Sequence, residues 1–447
     1  MELKTNSKKQ VVVIGGGFAG LNFITRLEKS PDFHITLVDK NNYNYFTPLL
    51  YQVATGFLEP ASISYPFRKL FKGYEISFRL GEVETVDPAL NKVYLTGGQE
   101  LSYDVLVFAA GAQPNFFGNE SVMKNAITLN GIGEALFMRN QLIKVLELAA
   151  SEKDPIEKRK LLTLVIAGGG PTGVEVAGML AEMKSSLLLQ EYSEIKDESI
   201  EIYLVDGADS LLAPMSTKTH KEALRILEGI GVNVKLNTLV TQFENGRVQL
   251  SNGQTIAAGT LIWAAGVVAN TFEGITKSSL GHGNRMVTDS FNRVKGYHNI
   301  YAIGDISIQH GDLNYPDGHP QLAQPAIQQG KRLASNLVLM AKGKPMAPFD
   351  YFDRGEMAII GRKFALVDLF KHKVHIGGIL GLLSWLFIHL LSLVNYNNII
   401  KTMYGWGMAY LTRDQPLRMI IKPEKRGESI NVTDNLLKSR QTYLVEN

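Results

Sequence analysis

The chain has 447 residues, 45% of them hydrophobic, and a formal net charge of +3 at pH 7. That length is enough for about three domains, and a charge so nearly balanced argues against a nucleic-acid partner. There is no cysteine, which excludes disulfides, thiolate zinc sites, cysteine-held iron–sulfur clusters and any catalytic thiol, and no metal site is expected.

Residues 1–10 are polar and basic, and no small-residue cleavage site follows them. No targeting peptide is expected, and a bacterial protein is the simplest reading. Residues 11–20, VVVIGGGFAG, run from β-branched residues into Gly15, Gly17 and Gly20. This predicts a buried strand, a glycine turn and a helix over 21–29. Gly15 suits the tight turn, Gly17 the approach of backbone to a pyrophosphate, and Gly20 the contact of helix with strand. The helix N-terminus then offers free N–H groups to phosphate. A second strand, His34 to Val38, ends in Asp39, about 20 residues past the last glycine, where a carboxylate can accept from a ribose hydroxyl. Residues 41–57 carry Tyr43, Tyr45, Phe46, Tyr51 and Phe57. They either line a flat ring system or pack on the core. A short helix is expected over 64–71, a β-rich stretch from Tyr74, and a returning strand over 104–110, closing on Phe108-Ala-Ala-Gly111.

A helix over 134–148 and a charged linker over 151–160 lead to a second copy of the pattern. Leu164 to Ile166 runs into Gly168, Gly170 and Gly173, and a long helix is expected over 174–189. A polar insertion reaches Ser199, and the next strand ends in Asp206. The insertion lengthens the glycine-to-acid spacing beyond the usual fingerprint, so Asp206 rests on strand context. A β-rich stretch from Val232 and the strand end Trp263-Ala-Ala-Gly266 complete the match. Order and spacing indicate an internal duplication of a dinucleotide-binding unit. Two such units suit the passing of a hydride between two cofactors.

Residues 299–305, NIYAIGD, predict a short strand ending in Gly-Asp, and 321–340 a helix with Gln324-Pro325 at its head. Its positive end suits a ligand that gains negative charge, such as a reduced flavin ring. Gln324 and Gln328 share a face, which is either ligand-facing or solvated. Residues 376–393, IGGILGLLSWLFIHLLSL, are nearly charge-free, with Lys371, His372, Lys373 and His375 before them and Lys401 after. On a helical wheel, Gly377, Gly378, Gly381, Ser384, His389, Ser392 and Asn395 form one weakly polar arc. An in-plane membrane anchor is expected, against a spanning helix or a buried core or dimer helix.

On GGGFAG, FTPLLYQVATG, GGGPTGVEVAG, WAAGV, AIGD and AQPAIQQG, the chain resembles the type II NADH:quinone oxidoreductases, single-subunit membrane-associated flavoenzymes, from Gln10 to about Lys422. The resemblance implies an α/β fold of two Rossmann-like dinucleotide-binding domains with a C-terminal membrane-anchoring region. Its boundaries would be 1–130 with 290–345 for FAD, 131–289 for NADH, and 346–447 for the membrane. It implies a non-covalent FAD, NADH as substrate and quinone as acceptor. FAD contacts would come from Gly15, Gly17, Phe18, Ala19, Gly20, Asp39, Lys40, Thr47, Val83, Gly111, Asp305 and Ala326. NADH contacts would come from Gly168, Gly170, Gly173, Asp206 and Gly266. Glu175 matches a glutamate near the nicotinamide, and Gln324 and Gln328 match a pair beside the quinone pocket. Tyr43 and Tyr45 depart from the family, where histidine is common. The implied setting is the cytoplasmic face of a bacterial inner membrane, with an anionic membrane surface met through 371–401 and the membrane quinone pool as partner. A homodimer is compatible with it. Two other readings stay open: a nicotinamide-binding flavoprotein that senses redox state with little turnover, and a soluble ferredoxin-reductase-like flavoenzyme.

Overall fold

A computed structural model describes residues 8–187, 191–195, 200–412 and 419–421. Two parallel sheets in it are built alike. The first runs, in spatial order, Ile300–Ala302, Val105–Phe108, Lys9–Ile14, Phe33–Asp39 and Ile76–Leu80. The second runs Val232–Lys235, Glu201–Val205, Thr163–Ala167 and Thr260–Trp263. Helices cover such sheets on both faces, so the central stretches Val11–Ile14 and Leu164–Ala167 are apolar and buried without alternation. Each unit also carries a three-stranded antiparallel sheet: Val83–Asp87, Lys92–Leu95 and Gln99–Ser102 in the first, Val240–Glu244, Arg247–Leu250 and Thr255–Ala257 in the second. Both have the same register irregularity in the leading strand, at Val83/Thr85 and Val240/Gln242. The duplication read from the glycine motifs thus extends to four strands of each parallel sheet and to the antiparallel sheet beside it; the first sheet alone adds a fifth strand, Ile300–Ala302.

The two units are stitched together where their sheets end. Ala112–Pro114, just past Gly111, pairs antiparallel with Val267–Ala269, just past Gly266. Asn115 N donates to Gly266 O at 3.0 Å, and Asn270 Nδ2 to Ala110 O at 2.8 Å. A third layer, the antiparallel sheet Glu356–Ile360, Phe364–Leu369 and Val374–Ile376, lies over the second unit. Its Gly361 meets Gly178 of helix Pro171–Leu187 so closely that a Cβ on Gly178 would stand 2.4 Å from Gly361 N.

Several local expectations are corrected. Residues 155–161 are a helix, not a linker: Pro155 opens it, the Asp154 carboxylate caps Ile156 N at 2.9 Å, and its charges face water. Ser64–Pro66 is a strand paired with Tyr43–Tyr45, and only Phe67–Leu70 is helical. The long helix starts at Pro171, three residues before the expected start; the end of its expected span and much of the polar insertion, residues 188–190 and 196–199, lie outside the described residues. Of the five aromatics in 41–57, Phe46, Tyr51 and Phe57 are core.

The apolar run near the C-terminus is divided. Val374–Ile376 belongs to the third sheet, and Gly378–Ser392 is a helix of 15 residues laid across that sheet. Among the described residues no helix is long and apolar enough to cross a membrane. The expected polar arc is also corrected. Gly381 faces inward, where a Cβ would strike the Ala365 carbonyl, and Trp385 between its members is fully buried. The outward face is instead Ile379, Leu380, Leu383, Phe387 and Leu391. The following helix, Tyr396–Thr412, adds exposed Tyr396, Ile400, Met403, Tyr404 and Leu411. A contiguous apolar surface of this size needs a cover.

Candidate active site

Each glycine turn follows its strand at an equivalent point: Gly15 N donates to Val38 O, and Gly168 N to Val205 O, both at 2.8 Å. A Cβ on Gly20 would be driven into the Gly15 carbonyl oxygen, and one on Gly173 into that of Gly168. Only glycine lets either helix sit this close to its strand. Gly17 and Gly170, by contrast, have nothing within 4 Å of where a Cβ would stand. Those are the open places beside the helix N-termini where a pyrophosphate would rest. The residues present therefore fit one dinucleotide in each unit.

The acids that follow have a second task. Asp39 accepts from Gly16 N at 2.7 Å and from Asn41 N at 2.7 Å. Asp206 accepts in the same way from Gly169 N, and from Ala208 N at 2.6 Å. Each carboxylate clamps its glycine turn and keeps lone pairs for a ribose. The insertion before Asp206 has therefore not displaced it. Burial raises the Asp39 carboxyl above the ordinary range, against hydrogen bonds from Asn41 and Gly16 and the charge of exposed Lys40. Asn44, which the sequence reading passed over, is buried and donates to Gly16 O at 2.7 Å.

Around the first turn, small residues gather three elements. A Cβ on Gly304 would stand 3.0 Å from Ala19 Cβ and 3.4 Å from Ala326 Cβ. This brings Phe18 and Ala19, the Gly304–Asp305 turn and the head of helix Ala323–Ala341 to one place. Burial pushes the Asp305 carboxyl up to about 6, opposed by Arg285. Gln329 is the residue that holds this turn, its Oε1 accepting from Gly304 N at 2.7 Å. It stands one position beyond the pair that helical spacing favoured. Thr47 is exposed at the start of a single helical turn, and Val83 is half-buried. Gly111 and Gly266, both at positive φ, sit at the stitched exits.

Gln324 and Gln328 are not equivalent. Gln328 is engaged at both ends by the Phe352 main chain: Nε2 donates to its carbonyl at 2.9 Å, and Oε1 accepts from its N–H at 3.1 Å. Expected to face a ligand alongside Gln324, it instead ties down residue 352. Glu175 is 8% exposed. Burial drives its carboxyl well above the usual range, and a main-chain hydrogen bond from Ile359 of the third sheet only partly offsets this. It sits where all three layers meet, since the helix Leu50–Ala54 of the first unit also packs on Pro171–Leu187. His389 of the apolar helix is stacked on Trp385 at 3.8 Å and donates Nδ1–H to the Trp385 carbonyl at 2.8 Å. Its ring meets Phe46 edge-on at 6.0 Å, and burial lowers its pKa to about 4.

The model of the pyridine nucleotide-disulphide oxidoreductase family matches residues 9–330. A type II NADH:quinone oxidoreductase of Mycobacterium tuberculosis is 34% identical over 424 residues, covering 91% of this chain and 88% of its own. That of Staphylococcus aureus is 32% identical, covering 79% and 88%. The structure of NDH2 from Plasmodium falciparum in complex with NADH superposes with a TM-score of 0.85, covering 93% of this chain and 100% of its own at 21% identity.

Proposed function

The chain belongs to the type II NADH:quinone oxidoreductases, within the pyridine nucleotide-disulphide oxidoreductase family, and from that membership we infer how its own residues divide the work. It is an NADH dehydrogenase that does not pump protons and hands electrons to a quinone. The redox-sensor and soluble ferredoxin-reductase readings give way to this one.

FAD belongs in the first unit and NADH in the second. When bound, FAD supplies a ring that takes a hydride from nicotinamide and passes two electrons to quinone. That order follows the family resemblance; the observation that carries a direct hydride transfer between the two sites is the stitch between Ala112–Pro114 and Val267–Ala269. Ligands of open parallel sheets lie beyond the carboxyl ends of the strands. Hydrogen-bonding those ends together turns the two ligands toward each other. Gly17 and Gly170 leave room for the pyrophosphates, and Asp39 and Asp206 clamp the turns and receive the riboses. Glu175, whose proton affinity burial raises, is placed to hold or relay a proton beside the nicotinamide. Gln324 offers its amide to quinone, and Gln328 secures residue 352 behind it. Quinone enters from the apolar surface of helices Gly378–Ser392 and Tyr396–Thr412. That surface rests in the plane of the cytoplasmic leaflet, with Lys371, Lys373 and Lys401 beside it.

The purified protein is expected to be yellow, to release one FAD per chain on acid treatment, to bleach with NADH and to recover with quinone. A colourless protein, or FMN in the extract, would overturn the cofactor assignment.

Asp206 is expected to favour NADH over NADPH, because a carboxylate repels a 2′-phosphate. Asp206→Asn puts an NH2 group among N–H donors, loosens the Gly169 turn and removes the charge. Losing charge-assisted bonds of this kind costs about 1.5–3 kcal/mol. kcat/KM for NADH should fall about 10- to 100-fold, and that for NADPH should fall less. Equal ratios in variant and parent would show that Asp206 does not meet the ribose.

A further inference from the structure

Helix Ala323–Ala341 carries Lys331, Arg332 and Ser335 one to two turns beyond Gln328. Beside it, helix Phe18–Leu27 carries Arg26, with Lys29 just past its end. Gly330 lets the two helices touch, since a Cβ there would stand 2.4 Å from Ala19 O. Their outer sides bound one open groove, about 640 Å³ in volume, which takes in all four cations. That is the size of a small-ligand site. Of the described residues lining it, Asp350 alone is acidic. None of the four cations has an ion pair among the described residues. Like charges at this helical spacing repel, so the gathering costs stability unless an anion answers it. Arg26 is also held in place, its Nε donating to Ser335 Oγ at 3.4 Å from one helix to the other. Its two terminal NH2 groups have no hydrogen bond among the described residues. A guanidinium in that state presents a planar set of donors that matches phosphate oxygens.

We propose that this groove binds a water-borne ligand carrying a chain of two or three phosphates. None of the glycine-turn residues lines it, so it is separate from both dinucleotide positions. Four cations against one carboxylate leave an excess of positive charge that a single phosphate would not balance. Arg26 and Arg332 grip phosphate oxygens through their N–H groups, and Lys29 and Lys331 neutralise the remaining charge. Among the described residues that line the groove, Phe349 alone is apolar, and it is 5% exposed. The groove offers no bed for acyl chains, which favours a soluble phosphate chain over a lipid head group. The ligand would bridge two helices whose N-terminal ends meet beside Gly304, and so brace the first unit.

The test uses the full-length, flavin-loaded protein, saturated with NAD so that both glycine turns are filled, and inorganic tripolyphosphate as the probe. Calorimetry at low salt should find one site per chain, weakening as salt is added. Arg26→Gln and Arg332→Gln should each weaken binding about 10-fold, and the pair about 100-fold. Lys218→Gln with Lys221→Gln removes the same charge from exposed positions on the second unit and should leave binding in place. Tripolyphosphate should raise Tm in the parent and not in the arginine pair. Absence of binding in the parent, parental binding in the arginine pair, or an equal loss in the lysine pair would each overturn the proposal. Flotation with anionic vesicles separates the sources. The arginine pair should float as the parent does; lost flotation, with no tripolyphosphate bound by the parent, would give the groove to a lipid head group instead. Bleaching by NADH should stay parental in the arginine pair, so failure here leaves the assignment of the dinucleotide sites standing.

Discussion

Gly173→Val should abolish reduction of the flavin by NADH while the flavin stays bound. The Cβ of any other residue at 173 is driven into the Gly168 carbonyl oxygen, and valine adds two methyl groups there. The helix Pro171–Leu187 must then lift from its strand, and its N-terminus leaves the pyrophosphate position beside Gly170. Overpacking alone costs about 1–3 kcal/mol. With the phosphate contacts also lost, the bleaching rate should drop about 100- to 1,000-fold. Dithionite should still reduce the flavin, because the first unit has its own turn at Gly15–Gly20. Stopped-flow bleaching of the flavin band reads the effect. A parental rate with NADH would mean that the second unit does not hold the donor. Gly173→Ala, with the smallest side chain, should show a lesser loss in the same direction.

The second large effect concerns the apolar surface. Leu383, Phe387 and Leu391 are 56%, 63% and 65% exposed and follow one another at four-residue spacing on one helix. Changing all three to glutamate leaves the buried Trp385 side of that helix untouched. Each change forfeits about 2 kcal/mol of apolar transfer, so partitioning to vesicles should fall about 10,000-fold. Turnover with a short soluble quinone should stay near the parental value, and turnover with a long-tailed quinone in vesicles should collapse. Flotation with anionic vesicles measures the first quantity and NADH absorbance the second. Undiminished flotation of the triple variant would place the membrane contact elsewhere.

The sequence by itself determined what depends on neighbours along the chain. Strand, glycine turn and helix lie within about a dozen residues, and the turn requires glycine wherever it is found. The two units, their order and the acids ending their second strands were legible for that reason. So was the apolar stretch near 376–393. What turned on distant partners was not legible. The acids at 39 and 206 read as ribose acceptors, but their hold on Gly16 and Gly169 depends on how adjacent strands line up. Helical spacing pairs Gln324 with Gln328, whereas the tertiary structure gives Gln328 to the Phe352 main chain and the support of Gly304 to Gln329. The wheel drawn on 377–395 put glycine in the polar face. Packing on the sheet puts Gly381 inside, because only a residue without a side chain can lie against the Ala365 carbonyl. Trp406 and Gln52 meet only when the C-terminal helix Tyr396–Thr412 packs on the first unit. Periodicity carries no information about such a bond, since its direction and partner come from the close packing of elements separated by most of the chain.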